Sequence, residues 1–304
     1  MRKFIIWIAL AFDSLFGDPP NRFHPVAWIG HSIKQIEVHL PYQNPTLAFL
    51  EGLAVWISGS SLIFTLAGVV GRVCSLLPFP LNFLGEAYLL KMTLAYRGLS
   101  SAATQIATVL PENLSEGRRL LAWHLVSRET SELSTVQVAA ATIESVAENT
   151  SDGIIAPLFY YALGGLPLAW LYRFSNTLDS MWGYHSDHFE WLGKAAAKID
   201  DILNYIPARL TAFLIVISAW MNGEHALQAW HVIKRDAQST ASPNAGYPMS
   251  AMAGALGVEL EKVGSYRLGK DLPSPEVKDI KRSLAIMRGA VLIGVTAITI
   301  FSWL

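Results

Sequence analysis

Charge is what this sequence has least of. Of its 304 residues only 15% are Asp, Glu, Lys or Arg, where a soluble domain carries about 25%. That scarcity excludes an ordinary solvated surface along the whole chain. The net charge is −1, which leaves no bulk attraction for nucleic acid or for an anionic membrane surface. Cys74 is the only cysteine and sits in apolar surroundings, so an internal disulfide and a cysteine-based metal cluster are both excluded. The pattern Gly-x-x-x-x-Gly-Lys-Ser/Thr is absent, so any nucleotide must be held without a P-loop. No fixed-period repeat, heptad array or low-complexity tract is present either.

Apolar runs take the place that charge leaves. Gly52 to Gly71 and Gly153 to Tyr172 are each 20 residues without a charge, enough for a helix to cross roughly 30 Å of hydrocarbon. Ile202 to Gly223 is interrupted only by Arg209, and the 22 residues from Ser283 to Leu304 only by Arg288. The reading is an all-α, polytopic integral membrane bundle, multi-pass in the cell membrane, with the lipid bilayer as a partner. The start MRKFIIWIAL has a basic n-region but no small-residue cleavage site before Asp13, so a retained short helix is expected over Phe4 to Phe16. Cys74 to Tyr96 is a candidate return across the membrane with an irregular, proline-rich entry. A helical hairpin outside the bilayer is expected over about 97–151. A basic loop over about 224–282, with eight Lys or Arg residues, is expected on the cytoplasmic side.

Polar chemistry gathers at the borders of these runs. In ATIESVAENTSDGIIAP, residues Glu144, Glu148 and Asp152 fall at i, i+4 and i+8 on a helix, one acidic stripe with Asn149 beside it. Such a stripe suits a cation or cationic substrate, and a solvated face explains it as well. Asn176 and Asp179 lie one turn apart, and Asp200, Asp201 and Asn204 lie within one turn. Both groups offer oxygen ligands to Mg²⁺, and helix capping is the alternative for Asn176 and Asp200. Ionisable groups beside apolar spans are costly and usually functional.

Three further stretches could meet substrate. Arg128, Thr130 and Ser131 place an arginine amid hydroxyls, suited to a phosphate or to N-capping. Ser242, Asn244 and Gly246 in SPNAGYP let backbone N–H groups approach an anion, or simply make a rigid turn. Asp18 and His24 in FGDPPNRFHPVAWIG are candidate ligands or proton carriers, or parts of a capped interfacial turn.

Taken together, these motifs resemble the cobalamin biosynthesis protein CbiB family, adenosylcobinamide-phosphate synthases. The resemblance covers nearly the whole chain: FGDPPNRFHPVAWIG, IESVAENTSDGIIAPLFYYALGG, NTLDSMWGY, DDILNYIPARLTA and SPNAGYP follow in the family's order. One departure is at Ser127 and Glu129, where the family pattern has glycine before the arginine and aspartate after it. The resemblance implies amide-bond formation between adenosylcobyric acid and (R)-1-amino-2-propanol O-phosphate, or a related aminoalcohol phosphate, with ATP and Mg²⁺, through an acyl phosphate.

On that footing Glu144, Glu148, Asp152, Asn176 and Asp179 are expected to do metal and polyphosphate work, with Asp200 and Asp201 a second metal set. Arg128, Thr130, Ser131, Ser242, Asn244 and Gly246 are expected to contact phosphate or nucleotide. Glu148, Asp152, Asp18 and His24 are the catalytic candidates, the last two for deprotonating the amine. The active site is expected at the cytoplasmic face, and other corrinoid-pathway enzymes are candidate partners. An intramembrane Mg²⁺-dependent transferase acting on a lipid diphosphate is the alternative reading. A cation transporter is a third, which predicts inverted repeats that the sequence does not show.

Overall fold

The structure is a computed structural model that describes residues 2–40, 44–183 and 189–301. It is a helical protein with one small hairpin. In chain order the helices are α1 (Arg2–Phe16), α2 (Pro25–Glu37), α3 (Pro45–Ser75), α4 (Leu81–Lys91), α5 (Tyr96–Val109), α6 (Leu114–His124) and α7 (Thr135–Thr150). A π turn over Ser151–Ile155 leads into α8 (Ala156–Trp182), followed by α9 (Lys194–Met221), α10 (Ala226–Asp236) and α11 (Gly246–Leu256). Strands β1 (Leu260–Lys262) and β2 (Tyr266–Leu268) pair antiparallel with Leu260 opposite Leu268, and α12 (Val277–Phe301) closes the chain. The last three residues of the expected C-terminal span lie outside the described residues.

Four helical segments are long and apolar enough to cross a membrane: Pro45–Ser75, Thr135–Trp182, Lys194–Met221 and Val277–Ile300. They agree with the apolar runs in the sequence. Within α3 only 6% of the apolar window is buried by protein, an apolar surface of the kind that suits contact with lipid. The expected return over Cys74 to Tyr96 is instead the eleven-residue helix α4. At 1.5 Å per residue it covers about 16 Å, half of what a span requires.

Caps set the helix starts. Asn44 accepts from Thr46 N and Leu47 N ahead of α3, and Pro45 stands at N1, where its missing N–H costs nothing. Ser134 and Gln137 form a reciprocal capping box at the start of α7. Gly257 closes α11 with φ 69°, a left-handed residue that glycine tolerates without Cβ strain. The expected hairpin over 97–151 therefore has three helices, because the loop before Ser134 divides its second half.

The chain forms two compact units. One comprises Met1–Ala95, Ala156–Asn204 and Phe301–Leu304, and the other comprises Tyr96–Ile155 and Tyr205–Ile300. In the first, the largest fully buried side chains are Trp182, Tyr161 and Tyr172. Each polar end is satisfied: Tyr161 OH donates to Glu86 Oε1 at 2.8 Å, and Tyr172 OH to Asn204 Oδ1 at 2.8 Å. In the second, α7 is wholly buried from Val138 to Ala147, which is why its run of alanines lets neighbouring helices approach closely. Ser218 Oγ ties α9 to α12 through Ile286 O at 2.7 Å.

Helix α8 is broken within its apolar run. Gly164 (φ −144°, ψ 17°) and Gly165 (φ 70°, ψ −158°) are non-helical, and Pro167 follows. Only glycine reaches the second conformation without strain.

Candidate functional site

The acidic stripe lies in the second unit. Glu144, on the buried face of α7, is 6% exposed, and its Oε1 has no hydrogen-bond partner. A buried carboxylate oxygen left this way is costly unless a ligand or cation completes it. Arg128, Glu148, Tyr266 and Lys262 are near enough to act on Glu144 electrostatically. Glu148 is half-buried one turn on, with Lys262 as the cation acting on it. A π turn takes one more residue than an α turn, so the i, i+4, i+8 register holds only to Glu148 and shifts at Asp152. Tyr266 faces these acids from β2. Burial, then the charges of Glu144 and Glu148, push its pKa up, so it stays protonated as a hydrogen-bond donor.

The phosphate-binding candidates in the same unit divide between ligand-facing and fold-holding groups. Arg128 is half-buried and belongs to the stripe's field. Glu129 does not pair with it: Glu129 Oε1 accepts from Thr130 N and Ser131 N, both at 3.0 Å. Those backbone bonds hold its carboxyl below the usual range. Thr130 Oγ1 donates to Arg118 O, so the hydroxyl shapes the loop, and Ser134 rather than any of these residues caps α7. Ser242 Oγ accepts from Asn244 N and Ala245 N at 3.2 and 3.3 Å. A Cβ on Gly246 would collide with the carbonyl of Ala237, so the close approach this glycine permits is to the chain's own backbone. Asn244 Oδ1 accepts from Arg209 Nη1 at 3.0 Å.

The Asn/Asp groups lie in the first unit, and there the two sequence clusters meet. Asp200 is 8% exposed; Asn204 Nδ2 donates to its Oδ2 at 2.8 Å, while Oδ1 has no partner. Asp179 and Asp201 act on Asp200 electrostatically, and Asn176 reaches it as well. Both Asn176 and Asp200 sit inside helices, not at their starts, so the capping alternative fails for each. Tyr172, stacked on Tyr160 with ring centroids 5.1 Å apart, orients Asn204 from behind. Tyr184, the last residue of NTLDSMWGY, lies outside the described residues.

Among the described residues no three His, Cys, Asp or Glu side chains gather at ion-holding range. Mg²⁺ does not need three. It is held by one or two carboxylates with substrate phosphates and water in its remaining positions. The Asp179–Asp200 pair, the two asparagine amides and the unpartnered Asp200 oxygen fit that demand.

The N-terminal candidates also come together in the first unit, around a residue the sequence did not single out. Lys91, fully buried at the end of α4, places Nζ 2.8 Å from Asp18 Oδ1 and 3.9 Å from Asp13 Oδ1. His24 Nδ1 accepts from Val26 N as the N-cap of α2, leaving the ring proton on Nε2, 3.3 Å from the same Asp18 oxygen. Burial disfavours charge on Asp18, yet the hydrogen bonds from His24 and Lys91 outweigh it and hold its carboxyl below the usual range. Asp18 Oδ1 is thus shared, and only Oδ2 is left to meet a substrate.

Lys91, Lys262 and Tyr266 went unread for different reasons. Lys91 is one lysine at a helix end, indistinguishable in sequence from a snorkelling residue. Lys262 and Tyr266 belong to three-residue strands, too short for an alternation pattern, though Gly264 between them marks the turn.

Residues 6–288 match the family model described as CobD/Cbib protein. The chain is 40% identical over 292 residues to the cobalamin biosynthesis protein CobD of Dehalococcoides mccartyi, covering 94% of this chain and 92% of that protein. It is 36% identical over 283 residues to the protein of that name from Klebsiella pneumoniae, covering 92% and 88%. Identity to the Clostridium perfringens protein of that name is 34% over 282 residues, covering 92% and 89%. No solved structure matches the chain.

Proposed function

The chain belongs to the CobD/CbiB family, and from that premise we propose that it is the ligase that makes adenosylcobinamide phosphate. A carboxylate of adenosylcobyric acid is joined to the amine of (R)-1-amino-2-propanol O-phosphate, or a close relative, as ATP becomes ADP and phosphate. The observation that carries this reading is the buried Asp200, set against Asp179, Asn176 and Asn204 with one oxygen unpartnered. A pair of carboxylates in an apolar core makes sense with a divalent cation that a polyphosphate shares.

In this reading Asp179 and Asp200 hold Mg²⁺ with the amides of Asn176 and Asn204, and Asp201 stands beside them. When bound, the ion offsets negative charge on the transferring phosphoryl group. Arg128 holds a phosphate by charge-assisted hydrogen bonds, with Thr130 and Ser131 shaping the backbone beside it. Glu144, Glu148 and Asp152 form the acidic wall that receives metal or the substrate ammonium. The reacting nitrogen must lose a proton before it attacks the activated carboxyl, and a carboxylate of this wall takes it. Since ATP is a cytoplasmic substrate, the site opens on the cytoplasmic side of the cell membrane.

The test is ADP release from purified protein in detergent. Release that requires the corrinoid acid, the aminoalcohol phosphate and Mg²⁺ together is expected, with one ADP per amide formed. Amide formation without ATP would overturn the assignment.

A further inference from the structure

Arg209 is a charge with no acid to answer it among the described residues. It stands inside α9, in an apolar stretch where an arginine costs roughly 2.5–3.5 kcal/mol at a membrane helix centre. Several arginines are answered by carboxylates: Arg119 pairs with Glu116, Arg235 with Asp236, Arg267 with Glu261, and Arg282 with Glu224 and Asp279. Among the described residues no carboxylate pairs with Arg209. Its guanidinium carbon lies 3.6 Å from the ring centroid of Tyr205 and 4.1 Å from that of Tyr247. Its Nη1 donates to Tyr205 O at 2.8 Å and to Asn244 Oδ1 at 3.0 Å.

Those contacts fix the plane and one edge of the group. The other edge, Nε–H with the N–H groups of Nη2, has no hydrogen-bond partner among the described residues. That edge is the two-pronged fork which matches two oxygens of one oxyanion, and aromatic faces hold such a fork ready at little entropic cost.

We infer that Arg209, clamped by Tyr205, Tyr247 and Asn244, is the anchor of a binding site for a phosphoryl oxyanion. It explains why the SPNAGYP loop carries a tyrosine and a buried asparagine: both orient the arginine of IPAR. The phosphoryl group comes from a soluble phosphate ester or from a lipid headgroup. That the soluble ester is a nucleotide or the aminoalcohol phosphate rests on the function proposed above.

The full chain in phosphatidylcholine nanodiscs is titrated with pyrophosphate, with ADP plus Mg²⁺, and with O-phosphoethanolamine, as wild type, Arg209→Gln and Arg209→Lys. At least one phosphate is expected to bind wild type and to weaken roughly 10- to 100-fold in Arg209→Gln, the loss expected for charge-assisted hydrogen bonds. Arg209→Lys should recover only part, since an ammonium lacks the fork. If Arg209→Gln fails to fold, Arg209→Lys decides alone.

Equal binding by wild type and the folded variants overturns the inference and leaves the ligase reading intact. Arg209-dependent binding of pyrophosphate, with neither ADP nor O-phosphoethanolamine bound, supports the site and removes the ligase reading. Loss of phosphate binding when phosphatidylglycerol is added to wild-type discs identifies a lipid headgroup as the occupant. No binding of any probe, with or without that lipid, overturns both.

Discussion

Lys91 Nζ, on a side chain 2% exposed, lies 2.8 Å from Asp18 Oδ1 on one 37% exposed. A buried ammonium thus holds a carboxylate that reaches solvent, in a loop bounded by Gly17, Pro19 and Pro20. Replacing Lys91 by Met strips that partner from Asp18 and from the buried Asp13. A loss of about 3 kcal/mol is expected, at the low end for a broken buried pair because Asp18 is partly solvated. The double variant K91M/D18N should recover part of it. The pH dependence has a definite sign: the folded-state pKa of Asp18 is below its ordinary value of 3.8. The pair's contribution is therefore complete above that value and lost as pH falls through the lowered one. Acid melts of wild type and K91M should converge there.

Asp200 and Asp179 are predicted to confer Mg²⁺-dependent stability. At about ten times its Kd, Mg²⁺ should add roughly 1.4 kcal/mol to wild type. Asp200→Asn and Asp179→Asn should lose that increment, read as the difference between each variant's melts with and without Mg²⁺. An undiminished Mg²⁺ shift in both variants would remove this pair from the metal site.

Glu144 and Arg128 are predicted to act as one unit. Glu144→Gln should lower ADP release roughly 100-fold, the scale of a lost acid–base or charge contact in a site. Arg128→Gln should do likewise, and the double variant should fall short of the product of the two losses. Circular dichroism melts establish that each variant is folded. Multiplying effects would mean that the residues serve separate ligands.

Gly254 is predicted to be irreplaceable for packing. A Cβ there would stand 2.6 Å from Ala229 Cα and 2.7 Å from Gln228 O, backbone atoms of α10 that cannot rotate away. Gly254→Ala should cost about 1–3 kcal/mol by overpacking, read as a lower midpoint in a denaturant melt.

The spans were legible because length and the absence of charge are local properties that lipid demands of any crossing helix. The acids were legible too, since ionisable groups beside apolar runs stand out in composition. Their grouping was not. Whether Asp200 faces Asp179 depends on how α8 and α9 pack, and no spacing in either helix encodes that. The division of labour in the loops was hidden for a related reason. Thr130, Ser242 and Gly246 look like phosphate contacts by residue type, yet what they meet in the fold is the chain's own backbone. Arg209, whose neighbours Tyr205 and Tyr247 come from segments 42 positions apart in the numbering, reads in sequence only as an interruption of an apolar run.

The break at Gly164 and Gly165 bears on how the chain is made. An uninterrupted apolar helix satisfies its own backbone and can enter a bilayer alone. A helix opened at its middle exposes unbonded N–H and C=O groups that hydrocarbon cannot satisfy. Gly165 is itself buried, so the opened backbone there depends on neighbouring helices for shelter from hydrocarbon. Substitutions that straighten the break are expected to speed membrane integration while trapping the chain short of its native bundle.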